Sequence, residues 1–448
     1  MTPRWMVAAA AVIVAFQLFV PPIVGLADQG DFQRIIGRFG YRAERSGLAT
    51  LFIERKYVRD ANSRVRDWEQ FSSEYFFVAA AVGLNPAASR DGKLDLRVMG
   101  FIHAIAFLAA FARLLQVSRG VRGRVLVWIA MLLILTDVAY VAYCNSFFAE
   151  PASLIFFVLL AAESIDIAQR GFATRGNLLR WSLWAILFVL AKPANAAPGF
   201  LLALFALRFR ASAGRAALFA SAAIVATCVV AIATTPKEVR NANTYNLVFM
   251  SVLPESRNPA ADLQALGLDW RLQDFSRSGA FTPETMYPQM EARGDIGRVV
   301  TDATVLRFYL ARPTRFWRHI QVMLPVAMHL RDWYGNYGPE TGYPPATRTR
   351  AFAAWSDLHA VVLRRIPKVV LLSLLAPAAM VLMRRKRELW MELYALLGLC
   401  AVTAFLTAIF GAHWDDIKHL FSFNLMVDAF LVTTIGWVFQ RLQRARRI

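Results

Sequence analysis

Two carboxylates three residues apart, a glycine between them and an arginine three positions further on stand in Asp28-Gln29-Gly30-Asp31-Phe32-Gln33-Arg34. The stretch follows the first apolar segment and its Pro21-Pro22 exit. A carboxylate can take a proton from a hydroxyl and a guanidinium can hold an anion, so the pattern suits general-base chemistry on a charged substrate. If 28–34 is helical, both acids and Arg34 share one face, because residues three and four apart on a helix are neighbours. The alternative is a solvated helix start, where acids are favoured by the N-terminal dipole.

Other ionisable groups gather where apolar segments end. Asp137, Asn145 and Glu150 lie on or just beyond one of them, and Lys192-Pro193 joins two short ones. A carboxylate at membrane depth costs about 2.5 to 3.5 kcal/mol on insertion scales, so such acids face a bundle interior or a wet cavity. Lys192 either snorkels to the interface or aims its ammonium at a phosphate. His413, Asp415, Asp416, Lys418 and His419 form a dense cluster before the last apolar segment, which itself carries Asn424 and Asp428. Lys418 and His419 suit a phosphate. A divalent metal at this cluster is possible, but its spacing matches no strong ligand signature, so no metal site is assigned.

The elements that must position these groups are membrane helices. Of the 448 residues 57% are hydrophobic, and several apolar runs reach about 20 residues, the length of a spanning helix. That excludes a soluble protein. The formal charge of +19 sits largely in short clusters beside apolar segments, a topological pattern that gives no nucleic-acid partner. The three cysteines, Cys144, Cys228 and Cys400, lie in or at the ends of apolar segments and indicate neither disulfides nor thiolate metal ligation.

About ten spans are expected: Trp5 to Leu26, Val98 to Leu115, Val125 to Tyr143, Ala152 to Ala162, Trp181 to Ala191, Pro198 to Leu207, Ala216 to Ala233, Val369 to Met383, Leu389 to Phe410 and Leu420 to Phe439. Arginines 119, 122 and 124, 170 to 180, 208 to 215, the run 384–387 and the basic tail then lie on one side. With both termini cytoplasmic, every cluster obeys the positive-inside rule. The chain divides into an N-terminal module (1–235) with an outer loop at 27–95, an extracytoplasmic region (236–368) between the seventh and eighth spans, and C-terminal helices (369–448). The fold expected is an all-α polytopic membrane protein.

No Walker loop, Rossmann glycine pattern or paired zinc motif is present. An enzyme built this way must take its substrates from lipid and from the outer side. A sugar on a polyprenyl phosphate meets that requirement, and its transfer needs a carboxylate base and cations for the departing phosphate.

Acids in the first outer loop and a large outer region before the final spans resemble the GT-C class of integral-membrane glycosyltransferases. Asp28 to Arg34, Asn145-Ser146-Phe147-Phe148-Ala149-Glu150-Pro151, Lys192-Pro193 and Lys418-His419-Leu420-Phe421-Ser422-Phe423-Asn424 more closely resemble bacterial hexose-transferase-like membrane proteins of glycan biosynthesis. The resemblance implies a polyprenyl-phosphate sugar donor, a glycan or lipid acceptor and a bacterial cytoplasmic membrane. It also implies an inverting displacement with a first-loop acid as base. That base is Asp31 or Asp28, Asp31 being preferred. Arg34, Lys192, Lys418 and His419 are then phosphate contacts, while Asn145, Glu150 and Asp416 position substrate. Trp333, Tyr334 and Tyr337 are available to stack on sugar rings. Two other readings remain: a flippase of lipid-linked glycans, and a polymerase or ligase of them. The latter would rely on the large outer region's Arg315, His319 and His329.

Overall fold

The computed structural model describes residues 3–44, 51–60, 71–121, 123–383, 388–411 and 416–445, the side chains of 416 and 440–445 excepted. The expectations placed on Arg122, 384–387, His413, Asp415 and the end of the tail fall outside the described residues, as does the Asp416 side chain.

The first helix, α1 (Arg4–Phe19), leads through an irregular stretch to a short helix, α2 (Phe32–Ile36). The first outer loop is not all-α. It contributes a small antiparallel sheet of β1 (Tyr41–Ala43), β2 (Lys56–Arg59) and β3 (Leu94–Asp95), with Tyr41 opposite Arg59 and Lys56 opposite Asp95. Between β2 and β3 the semi-apolar run around Tyr75 forms α3 (Glu74–Ala88). In β1 buried Tyr41 is followed by exposed Arg42, and in β2 buried Tyr57 lies between the partly exposed Lys56 and Val58, the alternation of a strand with one covered face.

The bundle follows: α4 (Leu96–Val117), α5 (Arg124–Leu135), α6 (Val138–Val141), α7 (Glu150–Arg170), α8 (Arg175–Ala191), α9 (Ala196–Ala206) and α10 (Arg215–Ala233). Then come the shorter helices α11 (Lys237–Asn246), α12 (Asp302–Leu310), α13 (Pro313–Ala327) and α14 (Ala354–Val361) of the segment expected to be extracytoplasmic. The chain closes with α15 (Pro367–Met383), α16 (Leu389–Gly411), the single turn α17 (Asp416–His419) and α18 (Phe421–Ala445).

Among the described residues six helices are long and apolar enough to cross a membrane, and up to eight if two bent pairs each count as one span. This is fewer than the ten expected, for a physical reason. Helices α1 and α8 have 16 and 17 residues. At 1.5 Å per residue they reach only about 25 Å, short of a hydrocarbon core of about 30 Å. The expected third span is broken by a 50° bend between Leu135 and Val138, where Asp137 caps α6 through the Ala139 N–H.

Most apolar side chains form one core through the bundle. A second, smaller core runs from Ala242 to Tyr309, while Ile320, Met323 and Leu324 of α13 join the first. The expected outer region therefore splits: its first part packs on itself and its second on the membrane helices. The two meet where Arg315 binds Asp262 and the Val252 carbonyl, and where His319 bridges Glu255 and the Ile409 carbonyl.

Residues 24–27 are clamped between two other segments. Gly25 and Ala27 donate N–H bonds to the carbonyls of Asn336 and Gly335, while the Asn145 amide donates to the carbonyls of Leu18 and Val24. A Cβ on Gly335 would stand 2.1 Å from the Leu51 carbonyl oxygen, whereas one on Gly83 would meet nothing within 4 Å. Gly335→Ala is therefore expected to destabilise by about 1–3 kcal/mol. Its thermal unfolding midpoint in detergent should fall clearly while that of Gly83→Ala does not.

Candidate functional site

The clamped strand delivers Asp28 and Asp31 to one end of the bundle by different routes. Asp28 precedes α2 rather than lying in it, so the acids do not share a helical face. Its Oδ1 accepts the N–H groups of Gly30 (2.7 Å) and Phe32 (3.1 Å). The turn needs Gly30, whose φ is +107°. Asp31 is the residue before α2, and Arg34 stands one turn on, its guanidinium 2.7 Å from Asp31 Oδ1. Helix α2 has only five residues, but buried Phe32 fixes it edge-on against Phe147 and Phe148.

The second carboxylate comes from the N-terminus of α7, where Glu150 is buried and its Oε1 lies 2.5 Å from Lys192 Nζ. Lys192 closes α8 at an extended break before Pro193. Asn195 holds that break: its amide donates to the Phe188 carbonyl and the Ser153 hydroxyl, and its oxygen accepts from Ser422. The third element, α17, brings Lys418 onto Asp31 Oδ2 and over the Phe148 ring, while the Lys418 carbonyl accepts from Lys192 Nζ at 3.3 Å.

Asp31, Arg34, Glu150, Lys192, Lys418 and His419 thus line one cavity of about 250 Å³. Three of the segments singled out in the sequence, far apart along the chain, converge there with the Glu150 turn. Asn145 is not among the lining residues. It is fully buried and its amide is spent on backbone carbonyls, so it braces the exit from α1 instead of facing substrate. Tyr334 and Tyr337 are buried too, Tyr337 stacked on Tyr343; of the three aromatics proposed for sugar stacking only Trp333 is exposed.

Burial pushes the Asp31 carboxyl up, but Arg34 and Lys418 outweigh it and hold the group well below the usual carboxylate range. Asp28 goes the other way: burial raises it to about 6 despite its two backbone donors. His419 is pushed well below the usual histidine range by burial and by Lys192 and Lys418, which keeps it neutral. Among the described residues no group of three His, Cys, Asp or Glu is placed to hold a metal ion. Both oxygens of Asp31 already face cations, so a divalent ion would have to displace Arg34 and Lys418.

Sequence reasoning missed Glu74 and His103. The His103 ring bridges Glu74 Oε1 (2.7 Å) and the Cys144 carbonyl (2.8 Å), and Glu74 Oε2 accepts the Ala152 N–H at the start of α7. All of these groups are buried, and together they fix the turn that carries Glu150. The available signal was a lone histidine in an apolar span.

A family model described as YfdI N-terminal transmembrane domain matches residues 3–447. No curated protein matches the chain. Among solved structures, the archaeal oligosaccharyltransferase AglB from Archaeoglobus fulgidus, in complex with an inhibitory peptide and a dolichol-phosphate, is similar at 12% identity and a TM-score of 0.42. The alignment covers 99% of this chain and 51% of that one. The chain spans about half the length of that structure, and a TM-score of 0.42 is too low for the likeness to bear on fold or activity.

The raised Asp28 carboxyl makes a prediction about pH. The folded protein holds this proton more tightly than the unfolded chain, so Asp28 removes stability as pH rises from 3.8 to about 6. Asp28→Asn keeps the Oδ1 acceptor and is expected to remove that decline in thermal midpoint. Asp28→Ala loses the two backbone bonds and should be less stable than both, by about 1 kcal/mol.

Proposed function

The chain belongs to the family of YfdI N-terminal transmembrane domains, a multi-pass integral membrane protein, and we propose that it is a GT-C-class glycosyltransferase. In this reading it transfers a sugar from a polyprenyl phosphate to a glycan or lipid-linked acceptor on the outer face of a bacterial cytoplasmic membrane, both termini being cytoplasmic. The observation that carries the proposal is the Asp31–Lys418 and Glu150–Lys192 pairing around one cavity at the end of the bundle.

Asp31 is the base. Its low proton affinity in the resting cavity makes it a poor one, because general-base efficiency falls as the pKa drops away from the working pH. A donor phosphate changes that by competing with Asp31 for Lys418 and Arg34. As the cations turn to the phosphate, Asp31 loses the charges that depress it and becomes more basic. The acceptor hydroxyl oxygen then bonds to the anomeric carbon as the bond from that carbon to the phosphate oxygen breaks. Asp31 takes the hydroxyl proton, and the electron pair of the broken bond leaves on the polyprenyl phosphate. Lys192, Lys418 and Arg34 stabilise that leaving charge, with neutral His419 able to donate one hydrogen bond. Glu150 keeps Lys192 in place before the donor arrives.

The polymerase or ligase alternative has less support. Arg315 is occupied by Asp262 and the Val252 carbonyl, and His319 is fully buried between Glu255 and Ile409.

Removing a general base costs about 100-fold or more. Asp31→Asn is therefore expected to abolish one sugar decoration in cellular glycans at equal membrane levels, measured by mass spectrometry, while Asp28→Asn leaves it intact. Purified Asp31→Asn should still bind undecaprenyl phosphate, seen as a thermal shift at least as large as that of wild type, because Lys418 has lost its competitor. Unchanged glycans in both variants would remove the basis of the glycosyltransferase reading.

A further inference from the structure

The cavity has a second wall that the mechanism above does not use. Helix α11 presents Arg240 and Asn243 to it, three residues apart and so on one face, and α12 presents Asp302 at its start. The sequence singled out none of the three. The ammonium groups on the membrane side of the cavity each meet a carboxylate. By contrast, the Arg240 guanidinium and the Asn243 amide have no hydrogen-bond or ion-pair partner among the described residues. Asp302 is held by Thr244, whose hydroxyl donates to Oδ1 at 2.6 Å, and Oδ2 has no protein donor among the described residues.

A guanidinium, a primary amide and a carboxylate oxygen, without protein partners among the described residues and lining one recess, offer directed donors and acceptors of both kinds. A phosphate has no use for the acceptor that Asp302 Oδ2 offers. A sugar ring, with a hydroxyl on nearly every carbon, uses all three. Resting on the glycosyltransferase reading, we propose that Arg240, Asn243 and Asp302 form the acceptor subsite and hold the hydroxyls of the glycan that receives the sugar. The fold says why this wall serves the acceptor and not the donor. A polyprenyl donor has to lie beside the membrane helices that adjoin Lys192 and Lys418. The second wall begins at the outer unit, whose hydrophobic core is separate from that of the bundle, so it meets what arrives from the water side.

The Arg240 and Asn243 side chains have no hydrogen-bond or ion-pair partner among the described residues, so changing them breaks no such bond there. Arg240→Gln and Asn243→Ala are expected to lower the sugar decoration of cellular glycans about tenfold or more, since an unmatched sugar hydroxyl loses a directed bond in the cavity. Arg240→Lys should recover part of it. The same purified variants should keep the wild-type thermal shift with undecaprenyl phosphate. Decoration at the wild-type level in both variants would overturn the proposal, and so would loss of the undecaprenyl phosphate shift, which would assign the wall to the donor. Failure of the underlying reading looks different: Asp31→Asn would then keep every glycan as well.

Discussion

An ion pair between residues 387 positions apart, Asp31 and Lys418, is what the charged end of this molecule depends on. Charges so placed are costly unless each finds a partner, and breaking one half of a buried pair leaves the other uncompensated. Here the constraint extends through Lys192, which is bound to Glu150 and to the Lys418 carbonyl. The start of the chain, the α8–α9 break, the α7 N-terminus and the turn before the last helix are thereby held in one arrangement.

That arrangement is supported from beneath by groups with no role in chemistry. Asn195 pins the break that positions Lys192, and the Glu74–His103 pair pins the turn that positions Glu150. Phe32, Phe147 and Phe148 seat α2, and Phe148 also faces the Lys418 ammonium. The ionic groups on this side of the cavity rest on buried amide, imidazole and aromatic contacts. On the far side, where α11 and α12 form the wall, the Arg240 guanidinium and the Asn243 amide have no hydrogen-bond or ion-pair partner among the described residues.

Buried acids elsewhere behave differently and clarify the contrast. Asp428 in α18 accepts from Tyr140, Trp355 and His359, and Asp137 accepts the N–H groups of Ala139, Trp355 and Ser356. These two carboxylates face hydrogen-bond donors on every side and tie α14 to the bundle. Asp31 and Glu150 instead meet the ammonium groups of Lys418 and Lys192 at the wall of a cavity.

The sequence by itself determined that the chain is a helical membrane protein, because long apolar runs have no other stable home. It also brought forward Asp31, Arg34, Glu150, Lys192, Lys418 and His419, because these ionisable groups gather where apolar segments end. It could not separate Asp28 from Asp31: only the turn at Gly30 directs one carboxylate onto backbone N–H groups and the other onto cations. Nor could it number the spans, since hydropathy does not reveal that α1 and α8 stop short or that Asp137 breaks a helix. Asn145 and Tyr334 looked like site residues because their types suit sugars, yet packing buries both. Glu74, Asn195, Arg240, Asn243 and Asp302 carried no local pattern at all. Their places were decided by tertiary structure, because what makes them matter is which distant segment each one faces.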